Sequence, residues 1–349
     1  STEPAISGNG RYVVFESDAT NLIGAGKDTN SRSDIFLHDT QTKTTTRVSV
    51  SDSEAQAVTS STFPSISDDG RYIAFTSSAS NLIGTGNDTN GSTDIFVRDT
   101  QAAANGSTIR VSVNNSGVEA NGRSDAPHIS GNGRYVAFKS VATNLIASDT
   151  NSSQDIFVRD IQAGTTDRVS VSNSGAQPSG GGVDSYAPSI SANGRYVTFS
   201  SEATNLIGAG GDTNNVEDIF VRDTQAGTTI RVSVSNSGNQ TGGIRGSYEP
   251  RISADGRYIA FQSDATNLIA SDINNTVDIF VRDTQANTTI RVNVDSSGSV
   301  GTATGLGVVN IGISADGRYI VFNSNATNLA PEGDTNIAHD VFRVLNTTP

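Results

Sequence analysis

Apolar residues along the chain fall into short runs separated by stretches rich in Gly, Asp, Asn and Ser. In the segment 71–77, Tyr72, Ile73, Ala74 and Phe75 are consecutive, so a strand here carries apolar side chains on both faces and has to be covered on both. Arg110-Val111-Ser112-Val113 alternates instead, which predicts a strand over 110–113 with one face turned outward. The segment 94–100 reads as a strand between these two. Pro64-Ser65-Ile66-Ser67 reads as a strand ahead of them, joined to 71–77 by the turn Asp68-Asp69-Gly70. The four strands, A to D in chain order, make one antiparallel meander.

That meander recurs six times. Gly-Arg-Tyr begins at Gly10, Gly70, Gly133, Gly194, Gly256 and Gly317, and Asp-Ile/Val-Phe at Asp34, Asp94, Asp155, Asp218, Asp278 and Asp340. A repeating sheet with apolar residues on both faces needs a sheet on either side, and radial packing supplies them. The predicted fold class is all-β, a six-bladed β-propeller of four-stranded antiparallel blades; a linear β-solenoid has far shorter coils. One domain over 1–349 is expected, with blades near 1–52, 53–115, 116–174, 175–237, 238–297 and 298–349. The sixth unit reaches strand C at 340–345 with no strand D after it, so the last blade is expected to lack its outer strand. A three-stranded blade, continuation of the chain outside 1–349, or a strand donated by a partner would each account for this.

Pro-x-Ile-Ser-x-Asp/Asn-Gly-Arg-Tyr-Val/Ile-x-Phe-x-Ser, followed by Asp-Ile-Phe-Val-Arg-Asp, resembles the TolB-type, WD40-like repeat of bacterial envelope and secreted proteins, and the resemblance covers the whole chain. It implies a propeller and a periplasmic, cell-surface or extracellular location. It says little about activity, because such propellers serve as protein-binding modules, as non-catalytic domains of peptidases and as lyases. Ile66 stands where the family usually has tryptophan, and the separate N-terminal domain of TolB has no counterpart, so a role in the Tol system is not implied.

Composition narrows the field. Ile and Val number 27 and 30 against 9 Leu, which favours strands. The net charge is −13 with only 3 lysines, so the chain lacks the phosphate-neutralising surface of a nucleic-acid binder. No apolar run approaches the ~18–20 residues that span a bilayer. With no cysteine there is no disulfide framework, thiolate zinc site or cysteine nucleophile. The absence of any methionine points to a processed or excised chain, as removal of a secretory signal would leave.

Every B–C loop carries Asp-x-Asn-x-x-x-Asp: Asp28, Asn30 and Asp34; Asp88, Asn90 and Asp94; Asp149, Asn151 and Asp155; Asp212, Asn214 and Asp218; Asp272, Asn274 and Asp278; and Asp334, Asn336 and Asp340. Oxygen donors at alternate positions suit Ca²⁺, and the unconstrained fifth position (Arg32, Ser92, Ser153, Val216, Thr276, Ala338) suits a backbone-carbonyl ligand. Structural Ca²⁺, up to one ion per blade, is therefore expected. The competing reading is that these side chains cap turns and start strand C. Twelve aspartates lie in these loops and the rest of the chain is close to neutral, so a metal is the expected counter-charge.

What the units do not share is concentrated in the D–A loops and strand A. His128, Asp184, Tyr186, Arg245, Tyr248, Glu249 and Arg251 break the repeat and are the candidate ligand-binding residues at a channel mouth; drift in exposed loops is the plainer reading. His38, His128 and His339 occupy different places in their units, which gives no histidine cluster or triad. Pairs such as Asp99 with Arg110 read as ion pairs, and Leu22, Leu82, Leu145, Leu206, Leu268 and Leu329 as anchors of the B–C loops.

With no nucleophile–base signature, the expected function is a non-catalytic secreted or cell-surface interaction module, stabilised by calcium, that binds a protein or glycan through its variable loop face. One alternative is a structural subunit of an extracellular assembly, completed by a strand donated to blade six, a second copy of the chain being one donor. The other is a propeller lyase or hydrolase using His128, Arg251, Tyr186 and Glu249 at the channel mouth.

Overall fold

The computed structural model describes all residues except 85, 103–105, 148, 181–182, 209, 243, 245, 271, 273–275, 300, 302–307, 331–337 and 348–349. Among the described residues all regular structure is strand, and no helix is long and apolar enough to cross a membrane. The chain forms two compact units, Ser1–Val169 and Ser170–Pro349, each with three sheets.

The first unit holds β1 (Thr2–Ile6), β2 (Tyr12–Ser17), β3 (Asp34–Asp39) and β4 (Thr44–Arg47); β5 (Ser61–Ile66), β6 (Tyr72–Ser77), β7 (Asp94–Asp99) and β8 (Ser107–Arg110); and β9 (Ser124–Ile129), β10 (Tyr135–Ser140), β11 (Asp155–Asp160) and β12 (Thr165–Arg168). The second holds β13 (Ser185–Ile190), β14 (Tyr196–Ser201), β15 (Asp218–Asp223) and β16 (Thr228–Arg231); β17 (Ser247–Ile252), β18 (Tyr258–Ser263), β19 (Asp278–Asp283) and β20 (Thr288–Arg291); and β21 (Val308–Ile313), β22 (Tyr319–Ser324) and β23 (Asp340–Leu345). Each sheet is an antiparallel meander in chain order. The fold is a β-propeller with six blades, the last of three strands.

Strand D lies earlier than the alternation predicts: β8 ends at Arg110. The valines beyond it follow an irregular path, with the Val111 N–H donating to Ile95 O at 2.8 Å and Val113 bridged to Glu119. Ser112 does not face solvent. It is fully buried and donates from Oγ to Asp94 at 2.6 Å. What reads in sequence as the polar face of an outer strand is a buried hydrogen-bonding position.

Strands B and C carry the core. Cross-strand phenylalanines such as Phe75 and Phe96 stack 5.9 Å apart and are fully buried, a pair worth about 0.5–1.5 kcal/mol beyond its buried area. Apolar clusters join neighbouring sheets within each unit, as where Val14 and Ile35 meet Ile73 and Leu82. The B–C loop leucines Leu82, Leu145, Leu206 and Leu268 are at most 1 % exposed, as their anchoring role requires.

The Gly-Arg-Tyr motif also joins blades. Gly70 has φ +77°, and a Cβ there would stand 2.1 Å from Cδ2 of Tyr12, whose ring lies on the turn of the next blade. Arg71 chelates Asp99 at 2.8 and 2.6 Å and stacks over Tyr72 at 4.8 Å. Asp99 is thus paired with Arg71 and not with Arg110, because the register sets Phe96 opposite Arg110. The equivalent Arg195 guanidinium holds Asp223 below the usual carboxylate range.

Candidate functional site

The repeated loop residues do come together, around a group the sequence reading left out. Asp34 is fully buried; one oxygen accepts from Ser49 Oγ at 2.6 Å and the other from Asn30 Nδ2 at 3.3 Å. Asn30 Nδ2 also donates to Ala57 O at 2.8 Å, and its Oδ1 accepts the Arg32 N–H at 2.9 Å, closing a turn. The Asp28 side chain is 1 % exposed, and neither of its oxygens accepts a hydrogen bond. Facing both carboxylates is Arg47 at the end of β4, with Nη1 3.7 Å from Asp28 and 3.5 Å from Asp34.

Arg110 stands in the same way before Asp88 and Asp94, Arg168 before Asp149 and Asp155, Arg231 before Asp212 and Asp218, and Arg291 before Asp272 and Asp278, with Nη1 to oxygen distances of 3.0–4.0 Å. Asn90 and Asn214 donate to Asp94 and Asp218 as Asn30 does to Asp34, and Asn151 Oδ1 accepts the Ser153 N–H. Asp340 opens β23, while Asn274, Asp334 and Asn336 lie outside the described residues. Burial raises the carboxyls of Asp34, Asp94 and Asp212, and the neighbouring aspartate of each pair adds to the shift. These loops therefore carry their own counter-charge, one guanidinium for two carboxylates. The sequence signal was the arginine that opens every Arg-Val-Ser/Asn-Val.

The non-repeating residues divide between the units. His128 lies on β9 of the first, opposite Ala137. The others lie in the second, except Arg245, which is outside the described residues. Tyr186 donates to Asp184 at 3.2 Å, and Arg251 lies 3.5 Å from Glu249. Tyr248 lines a cavity of about 500 Å³ with Glu202, Asn215, Val216, Glu217 and Ile244.

Two backbone features place these groups. Glu249 precedes Pro250 at φ +52°, within an irregularity of the β17–β18 register between Tyr248 and Arg251, and so leaves the regular pleat. Gly246, at φ +88°, brings its chain so close to Glu217 that a Cβ would stand 2.1 Å from the Glu217 carbonyl oxygen. Glu217 is half-buried, and burial, reinforced by Glu202 and Glu249, pushes its carboxyl up to about 7. Burial and Asp184 push the Tyr186 phenol up to about 12, so it stays neutral. Glu202 and Glu217 escaped the sequence reading. Their signal was divergence, since the residues equivalent to Glu217 are Ser33, Thr93, Gln154, Val277 and His339.

No family model and no curated protein sequence matches the chain. Among solved structures, the β-propeller domain of the Trilobed protease from Pyrococcus furiosus, described as having an open velcro topology, is similar with a TM-score of 0.51 at 10% identity, over 98% of this chain and 81% of that one. The likeness is to the propeller fold. A structure of prolyl endopeptidases gives 0.51 at 12% identity over 99% of this chain and 42% of that one. TolB from Acinetobacter baumannii gives 0.49 at 15% identity over 91% of this chain, which spans 59% of that protein's length.

Proposed function

We propose that the protein is a non-catalytic binding module of the bacterial envelope or secreted fraction, and that it holds a protein partner by a lysine or arginine side chain in the cavity between blades four and five. The supporting observation is the cavity itself. Glu202 and Glu217 gather acidic charge there beside Tyr248, with the Glu249–Arg251 pair close by, whereas the recurrent aspartates have arginines of their own. A cation entering the cavity meets carboxylates in a partly desolvated site and an aromatic face.

The raised Glu217 carboxyl sets the pH dependence. Below its ordinary value of 4.5 it is protonated in the folded and unfolded chain alike; from there through about 7 the folded state holds the proton more tightly, so ionising it costs stability as pH rises. A bound cation offsets that cost. Affinity for an arginine-bearing peptide is expected to rise about tenfold between about pH 6 and pH 8 by calorimetric titration, and Glu217→Gln to remove both the rise and most of the binding. Equal binding by Glu217→Gln would sink the proposal. Turnover of a polysaccharide or peptide that depends on Glu217 would overturn the non-catalytic reading.

A second reading rests on β23. Val341 is 81 % exposed and Leu345 57 %, while Ile95, which holds the place of Val341 in blade two, is fully buried. A strand paired to β23, supplied by a second copy, would make the protein a subunit of an assembly. Concentration-dependent oligomers that dissolve on adding a Thr-Thr-Ile-Arg-Val-Ser-Val peptide would support it; a monomer at every concentration would not.

A further inference from the structure

Blades two to five each carry an arginine one residue before the end of strand C: Arg98, Arg159, Arg222 and Arg282. The first three are seated alike, Nη1 donating to a carbonyl in the turn after strand D of the preceding blade and to a strand-D threonine. From Arg98 these are Ser51 O at 3.2 Å and Thr108 Oγ1 at 3.0 Å. From Arg159 they are Asn114 O at 3.2 Å and Thr166 Oγ1 at 3.0 Å, and from Arg222 Ser172 O at 3.3 Å and Thr229 Oγ1 at 3.1 Å.

The other edge of the guanidinium differs between blades. In blade two, Glu54 reaches over from the turn of blade one and pairs with Arg98 Nη2. Glu54 holds φ +63° where the equivalent turns have Gly117, Gly175 and Gly238, so its carboxylate is kept there against backbone preference. In blade five, Asn287 of the C–D turn accepts from Arg282 Nη2 at 3.2 Å.

Blades three and four have neither cap. The place of Glu54 is taken by Gly117 before Arg159 and by Gly175 before Arg222, and the place of Asn287 by Gly164 and Gly227. A Cβ at Gly117 or Gly175 would have nothing within 4 Å, and one at Gly164 or Gly227 would stand 3.7 or 3.8 Å from Nη2 of its arginine. Arg159 and Arg222 are half-buried, and among the described residues no acceptor meets the Nε or Nη2 of either. The adjoining carboxylates, Asp160 and Asp223, are chelated by Arg134 and Arg195. A cation drawn partly out of water without a counter-charge is costly until an anion stands by it.

We propose that Arg159 and Arg222 each receive a carboxylate from outside the chain, in the slot that Glu54 fills in blade two. Nε and Nη2 form the edge of the guanidinium that a planar carboxylate meets with two parallel hydrogen bonds. An acidic side chain of a partner and a free small acid supply the same group. None of the residues around Glu217 takes part, so these slots stand or fall apart from the cation-binding cavity.

The test follows the arginine Nε–H resonances of the ¹⁵N-labelled full chain while sodium acetate replaces sodium chloride at constant ionic strength. Two resonances, assigned by their loss in Arg159→Lys and Arg222→Lys, are expected to shift and saturate with a midpoint on the order of 10 mM. Gly164→Asn installs the cap that blade five already carries, so the fold should persist while the Arg159 response is lost and the Arg222 response stays. A capped Gly-Glu-Gly peptide that saturates at about tenfold lower concentration assigns the slots to a partner's acidic side chain, and an equal midpoint assigns them to a free acid. No saturable shift at either resonance, a full Arg159 response in Gly164→Asn, or an equal shift of every arginine would each overturn the proposal.

Discussion

Arg231→Ala is expected to destabilise the second unit by about 3–5 kcal/mol, the usual cost of removing one partner from a buried ion cluster. The Arg231 side chain is 9 % exposed, and its Nη1 lies 3.5 Å from Asp212 and 3.3 Å from Asp218, whose side chains are 1 % and 0 % exposed. Alanine leaves two carboxylates facing each other without a cation. Burial, followed by repulsion from Asp218, already holds Asp212 above its ordinary value of 3.8. A carboxyl raised in the folded state stabilises the fold when protonated and costs stability as pH climbs above 3.8. Urea unfolding should therefore show a larger deficit for Arg231→Ala at about pH 7 than at about pH 5. A loss below about 1 kcal/mol, the range of an exposed salt bridge, would show that the arginine is not the counter-charge of its loop.

Gly256→Ala is expected to cost about 3 kcal/mol, the sum of a left-handed backbone penalty and a steric clash. Gly256 has φ +79°, and a Cβ there would stand 2.2 Å from Cδ2 of Tyr196, a blade-four ring packed against the apolar cluster that joins blades four and five. Gly238 supplies the control: its φ is +78°, with nothing within 4 Å of the same built atom. Gly238→Ala should cost only about 1–2 kcal/mol, the backbone part alone. The difference between the two variants in one denaturant series isolates the tyrosine contact. Equal losses would mean that the glycine of Gly-Arg-Tyr serves the turn and not the neighbouring blade.

The sequence made the architecture legible because the same local events recur in every unit. Tyr72 to Phe75 is apolar on both faces and β6 is buried on both; the Asp68-Asp69-Gly70 turn leads into it as the residue types require. The missing outer strand of the last blade was also readable, since it depends only on counting. Hydrogen-bond partners were less legible. Ser49 and Ser112 look like solvent-facing residues of an alternating strand, yet each is buried against an aspartate, 15 and 18 residues earlier in the chain. Spacing along the chain likewise paired Asp99 with Arg110, whereas register gives Asp99 to Arg71 and leaves Arg110 to Asp94. The aspartates of the loops were seen, but not the arginine that neutralises them, which arrives from a different strand.

Of the residues lining the candidate cavity, only Tyr248 stood out by breaking the repeat; Glu217 breaks it too but sits inside the Asp212–Asp218 motif that drew attention as a metal loop, and Glu202 precedes the Ala-Thr-Asn-Leu read as a loop anchor. Which divergent residues converge depends on Gly246 carrying its chain against Glu217, a contact that no pattern of residue types encodes.

Hydrogen–deuterium exchange of the full chain, with and without a short arginine-bearing peptide, tests the binding account most directly. Protection is expected at Asn215–Glu217 and at Ser247–Glu249, around the cavity of about 500 Å³, and is expected to vanish in Glu217→Gln. Protection at the opposite turns instead, around Asp255, Arg257 and Gln285 where a cavity of about 180 Å³ lies, or no protection anywhere, would contradict it.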